Sequence, residues 1–75
     1  MKFEFTLSKV GAIANATGPE LSLLTQTARS LGEQTKFTAT QSAEAMSYLG
    51  MAGWKTKEIV AGMPGLLNLA AAGNT

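Results

Sequence analysis

The chain has no cysteine, no histidine and no aspartate, and these three absences remove most of the chemistry open to a small protein. Without cysteine, neither a disulfide nor a thiolate metal site can staple the fold. Without histidine or aspartate, the usual general bases, activated nucleophiles and paired-carboxylate sites are missing. The acidic residues are all glutamates: Glu4, Glu20, Glu33, Glu44 and Glu58. They lie far apart, mostly where helices begin or on polar faces. Serines and threonines are plentiful, but none has a base beside it in sequence. No phosphate-cradling glycine loop is present. Gly50-x-x-Gly53 reads as the end of a helix, and Gly62-x-x-Gly65 brackets a proline. No catalytic residue, cofactor or metal ion is expected.

Charge is also scarce. Only 15% of residues are Asp, Glu, Lys or Arg, against about 25% in an ordinary soluble domain. The difference is made up by Ala, Gly, Ser and Thr, which leaves a weakly solvated surface expected to meet copies of itself or other protein. The net charge is +1, and Lys2, Lys9, Arg29, Lys36, Lys55 and Lys57 are scattered. That distribution gives no electrostatic footprint for a nucleic acid, so no specific nucleic-acid partner is expected. Glu4 interrupts any apolar core of a leader segment. The apolar stretch Leu66 to Ala72 is far shorter than the roughly 20 residues that span a bilayer.

What remains is a pattern for helices. Seventy-five residues form at most one domain, 1–75, with a thin core. The first helix is expected over Phe5 to Ala14, with Phe3, Leu7, Val10 and Ala14 on one face. The alternation Lys-Phe-Glu-Phe-Thr-Leu at its start allows a short strand as a competitor. After a break at Asn15 to Gly18, Pro19 fits the first helical position, with Thr17 or Gly18 as cap. Leu21, Leu24, Ala28 and Leu31 then repeat at helical spacing, widened by Leu23, and Gly32 weakens the last turn. Thr38 and Gln41 fit a capping box for the third helix, although the staple position that would pair with Phe37 holds Ser42. Ala39, Ala43, Met46 and Gly50 share a face with Leu49 beside them, and Gly53 ends the run.

Thr56 is expected to cap a fourth stretch in which Ile59, Met63, Leu66, Leu67 and Ala70 keep one phase. Pro64 lies inside it. Because proline removes a hydrogen bond and clashes with the preceding turn, the spacing predicts a helix over Lys57 to Gly62, a break, and another over Pro64 to Ala72 ended by Gly73. The fold class is therefore all-α, an irregular bundle of four to five short helices. Trp54 has two readings: it folds back over the last turn of the preceding helix, or it stands out as an interface anchor.

Five runs together carry a family resemblance. Ala28-Arg29-Ser30-Leu31-Gly32-x-x-Thr35-x-Phe37-Thr38-Ala39 is followed by Ala43-Glu44-Ala45-Met46-x-x-Leu49 and Ala52-Gly53-Trp54. Met63-Pro64-Gly65-Leu66-Leu67-Asn68-Leu69-Ala70-Ala71-Ala72-Gly73 comes next, and Val10 to Gly18 lies upstream. This pattern resembles the N-terminal region of phage tail tape measure proteins. The resemblance implies a long, largely helical protein inside the tail tube, whose length sets the length of the tail. It also implies a virion location, with the host bacterial cytoplasm as the place of assembly. The implied partners are the rest of the tape measure chain or further copies, tail tube and tail assembly proteins, and the host membrane. On this view the chain is an excised fragment or prophage remnant, and Phe37, Met46, Leu49, Trp54, Pro64 and Leu66 define its fold. The breaks at Gly18, Gly32, Gly53 and Pro64 suit a compact packing module rather than an uninterrupted ruler. The alternative is a peripheral membrane-interacting helical module acting at genome delivery, with Leu66 to Ala72 as its apolar foot.

Overall fold

The computed structural model describes residues 2–73, which form four helices: α1 (Lys2–Ala14), α2 (Gly18–Gln34), α3 (Ala39–Met51) and α4 (Thr56–Gly73). No strand occurs among the described residues. The alternating start of α1 is helical because that geometry separates its two phenylalanines. A strand would put Phe3 and Phe5 on one face. In the helix Phe3 packs on the core while Phe5 is 71% exposed. Thr6 adds a hydroxyl bond to the Lys2 carbonyl at 2.8 Å, so the helix begins earlier than Phe5.

Each connection closes its own backbone groups. α1 ends on Asn15, which adopts φ 56°. Asparagine reaches this left-handed region more easily than most residues. The turn lets Ala16 N donate to the Gly11 carbonyl at 2.9 Å and Asn15 N to Ala12 at 3.3 Å. α3 ends the same way on Gly53, at φ 98°, with Trp54 N donating to Leu49 and Gly53 N to Gly50, both at 3.0 Å. Both are Schellman endings, which satisfy carbonyls that a helix terminus leaves without partners.

The helix starts are equally local. Thr17 caps α2: its hydroxyl accepts from Glu20 N, and Glu20 Oε1 accepts from Thr17 N at 2.8 Å. Gly18 is thus the first helical residue, and Pro19 sits second rather than first. Thr38 and Gln41 make the reciprocal box on α3 at 3.0 and 2.9 Å. Ser42, at the staple position, is fully buried, and its hydroxyl donates to the Thr38 carbonyl at 3.1 Å.

Two expectations about α4 are corrected. Thr56 is not the cap but the first helical residue, and it is buried. Lys55 holds the capping place. Its carbonyl accepts from Ile59 N at 2.9 Å, and its N–H donates to Glu58 Oε1 at 2.8 Å. Nor does Pro64 break the chain into two helices, since α4 runs straight through it to Gly73. Ile59, Met63 and Leu67 are buried on a single face across the proline, while Pro64 itself is exposed. The hydrogen bond that proline forfeits therefore lies away from the core, where solvent can take the orphaned carbonyl, and core packing holds the helix together.

α2 and α3 form the centre, flanked by α1 on one side and α4 on the other. α1 and α3 run in the same direction, with Ile13 set against Gly50 and Lys2 paired with Glu44 at 3.6 Å. α2 runs opposite to α1, bringing Leu21 to Gly11 and Arg29 over the Phe3 ring. The shared core takes Leu7, Val10 and Ala14 from α1 and Leu24, Ala28 and Leu31 from α2. α3 adds Ala43 and Met46, and α4 supplies Ile59, Met63 and Leu67. Its small side chains let the helices approach closely, and its methionines fill irregular gaps. The body measures 36 × 25 × 16 Å.

Candidate interaction surface

The residues singled out by helical spacing divide into three groups. Leu24, Leu31, Met46, Ile59, Met63 and Leu67 are buried. Leu21, Phe37 and Leu49 are partly buried and pack on the edge of that core. Phe37 is steered there by Thr35, whose hydroxyl donates to the Leu31 carbonyl at 2.6 Å and accepts from Phe37 N at 3.1 Å. Trp54 and Leu66 are each 37% exposed.

The Trp54 ring lies against α4, where it rests on Gly62. A Cβ at that glycine would lie 2.5 Å from Trp54 Cζ3. The absence of a side chain at Gly62 is what creates the ring's seat. Gly62→Ala is therefore expected to displace the indole. Because the ring is already partly exposed it can swing outward, and the helix propensity of alanine, worth about 1 kcal/mol over glycine, offsets the lost contact. A red-shifted tryptophan emission with little change in melting temperature checks this. An unshifted emission contradicts it.

Part of the exposed apolar surface gathers beside α4. A groove of about 360 Å³ between α3 and α4 is lined by Phe37, Ala45, Tyr48, Leu66, Leu67 and Ala70, with Gln41 and Glu44 at its rim. Tyr48 is 70% exposed, and Leu69, a little further along α4, is 72% exposed. On the other flank of α4 lies a second groove, about 610 Å³, bordered by Leu31, Gln34, Lys36, Pro64, Asn68 and Ala71. From Ala61 to Gly73 α4 carries no charged residue. Tyr48 is not among the residues that spacing singles out, because it stands two positions beyond the buried Met46 and a search for core spacing passes over it.

Among the described residues no cluster of acidic side chains is placed to hold a metal ion, and no helix is long and apolar enough to cross a membrane. The arrangement presents apolar helix faces and grooves. These features define an all-α packing module with apolar grooves beside its last helix.

Comparison with known proteins gives that module a lineage. The family model described as "Phage-related minor tail protein" matches residues 25–75, covering most of α2 and all of α3 and α4. The tape measure protein of Pneumococcus phage Dp-1 is 43% identical over 70 residues, which is 93% of this chain. The chain belongs to the phage-related minor tail protein family. It spans 6% of the length of the Dp-1 protein. No solved structure matches it.

Proposed function

We propose that the chain is a structural module of a tape measure protein, contributing to tail assembly and length determination through protein–protein packing. The observation that carries this is the 43% identity to the Dp-1 tape measure protein along nearly the whole chain. The fold supports it, because the molecule offers apolar helix faces and grooves. Its partners on this reading are the rest of the tape measure chain or further copies of it, together with tail tube and tail assembly proteins. Its place is the interior of the virion tail, reached by assembly in the host bacterial cytoplasm.

The shape limits how it contributes to length. A straight helix of 75 residues would extend about 110 Å, whereas this bundle is 36 Å long at most. Deleting the matching segment from a tape measure gene is therefore expected to impair tail assembly. Any tails that do form should not shorten by the roughly 100 Å that a 70-residue straight helix predicts. Electron microscopy of tail lengths tests both parts. Normal yields of intact tails would remove the assembly role, and a shortening near 100 Å would mean the segment serves as an extended ruler.

A second reading is contact with the host membrane at genome delivery, for which Leu66 and Leu69 supply exposed apolar side chains. It ranks below the first because the stretch Ala61 to Gly73 has no lysine or arginine. Interfacial helices usually set such cations against anionic headgroups.

A further inference from the structure

We propose that residues 64–73, the part of α4 beyond Pro64, form an arm that undocks from the bundle as one cooperative unit while the remainder stays folded. Four observations converge on this segment. Pro64 has no N–H to tie the arm's first turn to Val60, and Gly62 and Gly65 on either side of it are poor helix formers. Leu67 is the arm's single buried side chain, whereas the preceding half of α4 buries Thr56, Ile59 and Met63. Open grooves of about 360 and 610 Å³ run along the arm's two flanks, so Leu67 is wedged between α2 and α3 with space on both sides. Finally, Leu66 and Leu69 already face outward.

An arm of ten residues is shorter than the roughly 12–15 that a lone helix needs in water. Undocking and melting are therefore a single step, and its boundary is set at the proline. The step uncovers the apolar edges of Leu31 and Phe37 against which Leu67 sits. It is a property of the chain itself and stands or falls apart from the tail-assembly reading.

Native-state amide hydrogen exchange on the 75-residue chain tests the arm. The expected result is a step at Pro64. Amides of 66–71 should share one protection factor, about 100-fold or more below those of Val60 to Met63. Pro64→Ala, which restores the missing donor, should raise protection across the arm at least about tenfold and leave α1 to α3 unchanged. Leu67→Ala should abolish the arm's protection while Val60 to Met63 remain slow to exchange. Protection that declines gradually toward Gly73 with no step would show ordinary end fraying and overturn the proposal. So would an arm as well protected as Met63, or Pro64→Ala leaving the arm's exchange unaltered.

Discussion

Met46→Ala is expected to remove a large share of the chain's stability. Met46 is fully buried in α3, at the centre of the core shared by all four helices. Truncating such a side chain removes its transfer free energy and leaves a cavity, at a cost of about 2–5 kcal/mol. A domain of this length has a total stability of about 4–11 kcal/mol, taking 0.05–0.15 kcal/mol per residue. The loss is thus a large share of the whole. Urea unfolding followed by circular dichroism measures it. Two controls make the result specific. Met46→Leu conserves volume and is expected to cost less than about 1.5 kcal/mol. Met51→Ala, at a side chain 61% exposed, should fall within about 0.5 kcal/mol of the parent. Equal losses from Met46→Ala and Met51→Ala would mean that the core is not where the structure places it.

Gly32→Ala is expected to destabilise the chain by about 1–3 kcal/mol, although alanine is the better helix former by about 1 kcal/mol. A Cβ at position 32 would lie 2.7 Å from the Ala39 backbone nitrogen and 3.0 Å from its Cα. Ala39 is the first residue of α3, directly after the Thr38 cap. It cannot retreat without pulling apart the Thr38–Gln41 box. The contrast with Gly62→Ala is instructive. There the obstacle is a ring with solvent to swing into, while here it is main chain held by hydrogen bonds. Thermal melts of both variants, compared in one buffer, should separate the two cases. A Gly32→Ala protein as stable as its parent would show that the approach of α2 to α3 is looser than described.

Gly32 also marks the limit of what the sequence can reveal. Its low propensity suggests a weakening end to α2, yet the helix continues to Gln34. The reason for glycine is a neighbour seven residues further on, and no local rule sees that. The all-α class, the Thr38 box and the buried face of Leu24, Leu31, Met46 and Met63 were legible because each follows from spacing within one or two turns. Pro64 was misread for the converse reason. Propensity argues for a break, but the phase of Ile59, Met63 and Leu67 continues across it, and burial decided the matter in favour of phase. Thr56 looked like a cap by residue type. The carboxylate of Glu58 reaching back to Lys55 moved the start by one residue. At the surface, Tyr48 escapes a search by spacing because exposure depends on where neighbouring helices stop, which only the assembled bundle shows.

Apart from Glu44, which pairs with Lys2, the hydroxyls and carboxylates described above bond to backbone within four residues of themselves. The polar fastening described is thus mainly longitudinal, and apart from the exposed Lys2–Glu44 pair and Arg29 over Phe3, what joins one rod to the next among the described residues is oily contact. A body of that kind yields to traction along its length more readily than a sheet, whose crosswise bonds would have to shear together.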